Sequence, residues 1–564
     1  MKLSEIQYQR PNMDILKQTL ENLCTQFENA TDATTQLEVI HQVNELQLEF
    51  NSQFVVVGIR HDLNSFDKFY EQERAFFNEQ DPVFDNYLAS YYQLLLDSSF
   101  RKTLEEKLGK RFFQCAQFFI EERNQQTESI EQEINQLEGE YFKSLSQGTV
   151  VFQEEKYSLR GICKFNDSKD TTIRKTARDI FYNFWVSKTD DFHHAFDKMV
   201  QLRDKASKVL GFENVVEESY HSCDYNGEQV STFNKAVLKH FVPLQKRLYE
   251  RRLKRMDVEE VHYYDTVKYK SGNPSLEVDS KKLWEKTQKM YAELSPETDE
   301  FCRFMVENEL YDTENRKGKY TGAYMASIKK YGLPFIFANF TGRAHDFRTL
   351  THEMGHAFQM YQTYKEGVRE IELLQTQNDI AEIHAIAMEL FTRDWHSLFF
   401  KEDAAKMQFR QISDMLGTIT YCCLSEDFQQ FVYRNPNVTP TQRNQKWLEI
   451  NKAYQPYLTE TSRSHPYLKA GHNWQMNGHI MCMPFYAVDY SLATLCAFQF
   501  WMKSKENKEE TWEDYLRLCK IGGKYSYFEA LQLANLRSPF DETVIKEIAE
   551  FLGTWLDGVD DSGF

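Results

Sequence analysis

No proline interrupts the chain between Pro82 and Pro243, and all 564 residues contain only 12 prolines and 22 glycines. Proline removes a backbone donor and clashes with the preceding helical turn. A long stretch without it, filled with Glu, Gln, Lys, Leu and Phe, is therefore the signature of long helices. The sequence predicts a mainly α-helical protein. Leu16, Leu20, Leu23 and Phe27 recur at helical intervals, and Ile130, Ile134 and Leu137 mark one stripe of a helix expected from Phe112 to Phe142. A Val55-Val56-Val57 run breaks this pattern before it resumes through Phe66, Tyr70, Phe76 and Phe77. Val150, Val151, Phe152 and Tyr157 predict a strand or hairpin within Thr149 to Leu159, and helical spacing then runs from Asn166 to about Met256, broken at Gly211. Between Glu259 and Gly342 turn residues crowd together, which predicts a small sheet-bearing region. With a boundary near residue 170, the chain divides into an N-terminal helical lobe (1–170) and a C-terminal region (171–564).

Charge and segment composition narrow the functional classes. The net charge is −18, from 67 basic and 85 acidic residues, so the surface repels nucleic acid and anionic membranes. The most basic stretch, Lys246 to Arg255, is interleaved with Leu244, Leu248, Leu253 and Met256 and reads as the solvated face of an amphipathic helix. The N-terminus lacks an apolar signal core, and no apolar run reaches membrane-spanning length. Ten cysteines occur without any C-x-x-C spacing, as expected of reduced thiols in a cytoplasmic protein.

The chemistry concentrates in Phe335 to Met360, FIFANFTGRAHDFRTLTHEMGHAFQM. An apolar run, Leu333 to Phe340, predicts a strand able to pair with an extended peptide, followed by a turn at Thr341-Gly342 and a helix capped by Asp346. His352 and His356, four residues apart, project from one helix face as a zinc ion requires, and Glu353 lies beside them as a candidate general base. Leu350, Met354, Ala357, Phe358 and Tyr361 form the apolar stripe of that helix. At Gly355 the missing side chain allows close approach of a backbone or ligand.

Two histidines leave a catalytic zinc one protein ligand short. The stretch DIAEIHAIAMEL from Asp379 places Glu382 and Glu389 two helical turns apart on one face, amid small and apolar neighbours. A carboxylate in such surroundings is costly unless paired or bound to metal. Glu382 is the candidate third ligand and Glu389 a candidate partner that orients a ligand histidine. His384, on another face, reads as a packed or exposed histidine.

HEMGHAFQ followed by DIAEIHAIAMELF resembles the thimet oligopeptidase and oligoendopeptidase F family of zinc metallopeptidases. His352, Glu353, Gly355, His356, Glu382 and Glu389 match its motif position by position, and NFTGRAHDFRTLT and GHIMCMPFYAVDY resemble its oligoendopeptidase branch. The resemblance implies two helical lobes flanking a deep substrate channel, with a small β-sheet next to the zinc helix. It also implies one Zn2+ per chain and hydrolysis of internal bonds in short unfolded oligopeptides. In the family a histidine and tyrosines assist at the oxyanion, a role carried here to His479, Tyr486 and Tyr490. Pro484 suits the first turn of a helix that would place both tyrosines on one face. Phe335, Phe337 and Phe340 are candidate wall or strand-edge contacts. A zinc dipeptidase or carboxypeptidase of related architecture is the alternative within enzymes, and a non-catalytic helical scaffold the alternative outside them. Oligomeric state is not legible in the sequence.

Overall fold

Helices occupy most of the chain, and polar residues before them explain where they start. Asn12, Asp32, Asp67, Asp170 and Asn226 each accept backbone N–H bonds at the first turn of a long helix. The structure is a computed structural model and describes residues 1–123, 126–276, 280–320 and 322–564. Positions 277–279 and 321 of the turn-rich stretch lie outside the described residues. Among the described residues no helix is long and apolar enough to cross a membrane, and all ten cysteines are free thiols.

Two local expectations change. The Val55-Val56-Val57 run does not break the helix, which continues from Ala33 to Leu63, because Val56 and Val57 are fully buried in helical packing. Burial outweighs the modest helix penalty of β-branched residues. The stretch from Phe112 to Phe142 is two helices, Lys110–Glu121 and Glu128–Gln147. Pro82 and Pro243 both lie inside helices rather than bounding them.

Contacts group the chain into two units, each drawn from three segments: 1–123, 275–404 and 496–537 in the first, and 124–274, 405–495 and 538–564 in the second. Residue 170 falls within a segment of the second. In the first unit, Leu20, Leu23, Phe27, Phe50, Phe77 and Phe84 form an apolar core that also takes in Val368, Leu373 and Leu374. Each such side chain contributes about 1.5–3 kcal/mol on burial. The N-terminal helices are thereby bound to a segment far along the sequence. A three-stranded sheet, consisting of β3 (Tyr311–Asp312), β4 (Tyr324–Ile328) and β5 (Leu333–Phe337), lies against the Ala344–Lys365 helix. β5 is central, parallel to β3 and antiparallel to β4. The strand expected to offer a free edge is therefore occupied on both sides, with Phe335 and Phe337 buried in the core.

In the second unit the predicted hairpin forms from β1 (Thr149–Phe152) and β2 (Glu155–Ser158), anchored by Phe152 against Ile162 and Ala177. Ile130 and Ile134 pack on Leu202 and Ala206, as their spacing predicted. Glu426 is wholly buried and accepts bonds from Tyr220 (2.6 Å) and Gln430 (2.9 Å), and burial pushes its carboxyl up to about 8. A carboxyl that holds its proton more tightly when folded stabilises most below its unfolded pKa, and that stability is lost as pH rises toward the folded value. Glu426→Gln is expected to flatten the fall in melting temperature between about pH 5 and about pH 8.5. Parallel pH profiles for wild type and variant would exclude this role.

Candidate metal centre

The His-Glu-x-x-His segment folds as the Ala344–Lys365 helix, with Arg343 rather than Asp346 at its N-cap. Asp346 instead sits in the first turn, where Oδ2 accepts the N–H groups of Thr341, Gly342 and Arg343 at 2.7, 2.7 and 3.0 Å. One carboxylate thus gathers the turn that joins β5 to the helix, and Gly342 supplies its positive φ of 81°.

Glu382 and Glu389 lie on the Asn378–Phe391 helix, packed directly against the first. Gly355 makes this possible: a Cβ there would meet Ala385 Cα at 2.6 Å and the His384 carbonyl oxygen at 2.7 Å. Of the two uses expected for this glycine, the structure shows close approach of a backbone. The packing brings together ligand atoms of His352, His356 and Glu382, all within 4.8 Å of one another. Glu382 lies 3.4 Å from His352 Nε2 and 4.0 Å from His356 Nε2. Among the described residues no other such cluster of His, Cys, Asp and Glu occurs. Two imidazoles and a carboxylate at this spacing fit a borderline divalent cation such as zinc.

Behind the candidate ligands runs an ordered chain. His352 Nδ1 is 2.9 Å from Glu389 Oε1, and Arg348 Nε donates to Glu389 Oε2 at 2.7 Å. The Nδ1 contact with Glu389 fixes the His352 ring so that Nε2 faces Glu382. Arg348 was not singled out from the sequence, although it stands one turn before His352 and so shares its face. Burial opposes charge on His352, yet hydrogen bonds to Glu382 and Glu389 outweigh it and hold its pKa well above the ordinary value. Burial, reinforced by His352, takes His356 down to about 4. Burial, with Glu382 adding to it, raises Glu353 to about 7, against the opposing pull of His352 and a backbone bond from Met325 of β4. Of the two placements left open for His384, the structure shows the packed one, fully buried with Nε2 3.3 Å from the Leu518 carbonyl.

His479, Tyr486 and Tyr490 belong to the second unit, where they form one aromatic cluster. Their ring centroids are 5.1 Å (His479 to Tyr486), 6.0 Å (His479 to Tyr490) and 5.5 Å (Tyr486 to Tyr490) apart. The helix expected to open at Pro484 begins instead at Ala487 and carries Tyr490 but not Tyr486. His479 lies in a short helix, Gly478–Cys482, and the next helix begins at Ala487, so Pro484 and Tyr486 occupy the turn between them. Phe485 holds a positive φ of 65° in this turn, pinned by packing on Tyr220 and Tyr433. Such a conformation persists in a bulky residue only where its surroundings impose it.

Comparison with known proteins agrees with the motif. A family model described as Peptidase M3 N-terminal domain matches residues 3–122, and one described as Peptidase family M3 matches residues 165–550. Oligopeptidase PepF of Bacillus subtilis (strain 168) is 25% identical over 213 residues, which span 38% of this chain and 31% of that protein. The oligoendopeptidase F homolog of Borreliella burgdorferi is 22% identical over 389 residues, or 67% of this chain and 60% of that protein. The chain thus aligns with less than two thirds of the length of either curated relative. A 3.1 Å X-ray structure assigned as an oligoendopeptidase F shares 37% identity and a TM-score of 0.94 over 100% of both chains. PZ peptidase A, solved with an inhibitor, shares 39% identity and a TM-score of 0.93, again over 100% of both. The chain belongs to peptidase family M3, within its oligoendopeptidase F group.

Proposed function

We propose that this chain is a zinc metalloendopeptidase that hydrolyses internal bonds of short unfolded oligopeptides. The observation that supports it most is the convergence of His352, His356 and Glu382 within 4.8 Å, with Glu353 on the same helix as the two histidines. His352, His356 and Glu382 would hold the ion. Zinc bound there supplies Lewis acidity toward water and the scissile carbonyl. Glu353 accepts a proton from the attacking water and returns it to the leaving amine, so that one group serves as base and then acid. Glu389, backed by Arg348, keeps His352 in the tautomer and orientation that ligation needs. Family resemblance gives His479, Tyr486 and Tyr490 the role of hydrogen-bond donors to the oxyanion. Tyr486→Phe and Tyr490→Phe separate the two hydroxyls: loss of a donor is expected to lower kcat by about 100-fold with KM little changed. A tyrosine whose variant keeps full kcat has no such role.

Cleavage of an internally quenched peptide, acetylated and amidated at its ends, tests the reading. We expect internal fragments, abolition by a chelator and recovery with added zinc, while casein-sized chains survive. Cleavage that requires a free terminus favours the dipeptidase or carboxypeptidase alternative. A metal-free protein that cuts nothing favours the scaffold.

A further inference from the structure

The segment linking the two ligand-bearing helices is held by polar contacts that the chemistry does not use. It includes a single helical turn, Ile371–Leu374, and lies within the first unit. Two N-terminal helices grip it. Asn44 donates from Nδ2 to the Arg369 carbonyl at 3.0 Å and accepts the Ile371 N–H at 2.8 Å. Glu372 Oε1 takes the Tyr92 hydroxyl at 2.5 Å and the Gln47 amide at 3.3 Å, and the Tyr92 oxygen lies 3.0 Å from Gln47 Oε1. From the other side, Gly523 N–H donates to the Leu373 carbonyl at 2.8 Å, and Lys329 Nζ lies 3.3 Å from Gln375 Oε1. Gly523 has no room for a side chain, since a Cβ would meet the Gln375 carbonyl oxygen at 2.2 Å.

A buried carboxylate costs stability unless its hydrogen bonds repay the lost hydration, and an apolar residue would fill the same space at lower cost. Leu373 and Leu374, the next two residues, already supply the apolar anchorage. The polar triad therefore adds direction: it fixes the connector's register before the chain enters the helix that carries Glu382. We propose that Glu372, held by Tyr92 and Gln47, is a positioning residue for the metal centre, setting where Glu382 arrives relative to His352 and His356. This rests on the zinc peptidase reading above. It gives the N-terminal helices a task at the metal centre.

The experiment is zinc affinity of the full chain by competition with a chromophoric chelator, alongside kcat and KM. The variants are Glu372→Gln, Tyr92→Phe and, as a packing control, Leu20→Ala in the same apolar core. Tyr92→Phe removes one hydroxyl and keeps the ring, so it serves if Glu372→Gln folds poorly. Both polar variants, which act only through the connector, are expected to bind zinc about tenfold more weakly. Saturating zinc should restore kcat with KM unchanged. Leu20→Ala should lower the melting temperature yet bind zinc within about twofold of wild type. Unchanged zinc affinity in Tyr92→Phe and Glu372→Gln would overturn the proposal, as would equal weakening by Leu20→Ala. A wild type that binds no zinc would overturn both this proposal and the peptidase reading.

Discussion

Glu353→Gln is expected to lower kcat by about 100- to 10,000-fold, the range for loss of a positioned acid–base group, with zinc content and melting temperature preserved. The substitution keeps size and hydrogen-bonding shape and removes only the ability to take up and release a proton. Glu353 is 8% exposed, and burial lifts its carboxyl to about 7, a direction that suits the acid–base role proposed for it. The check is kcat and KM on a quenched peptide with parallel metal analysis. Retained activity removes Glu353 from the reaction. Lost zinc would make it a ligand instead.

The second large effect is at Gly355. Helix propensity alone predicts that Gly355→Ala stabilises by about 1 kcal/mol. The structure predicts the opposite sign, because the new methyl would meet the Ala385 Cα at 2.6 Å and the His384 carbonyl at 2.7 Å. Both obstacles are backbone, so no rotamer change relieves them, and the two helices must separate. Overpacking of this kind costs about 1–3 kcal/mol. Separation also moves Glu382 away from the histidines, so zinc affinity should fall by more than tenfold. Thermal melting and zinc competition together decide: a stabilised variant with normal zinc affinity would show that the close contact is not what places Glu382.

These two residues also show what the sequence reveals. His352 and His356 at i and i+4, and Glu382 and Glu389 at i and i+7, announce themselves because a helix turns fixed spacings into shared faces. Gly355 is legible as a close approach, but only the packed partner identifies Ala385. Asp346 was expected at the N-cap, since sequence marks an acid near a helix start without saying which turn it will gather. β5 was expected at an edge because its neighbour β3 pairs through only two residues, Tyr311 and Asp312, too few to leave a pattern. Val56 and Val57 look like a strand by composition and are helical through burial. Least legible is long-range assembly. Val368, Leu373 and Leu374 complete the N-terminal core, and no local spacing announces a partner that far away in the chain.

Zinc stoichiometry of the purified wild type and of Glu382→Ala tests the central claim most directly. The ligand geometry predicts one zinc per chain in the wild type and loss of tightly bound zinc in the variant, whose helices remain folded. A wild type without stoichiometric zinc, or a Glu382→Ala protein that keeps its full complement, would contradict it.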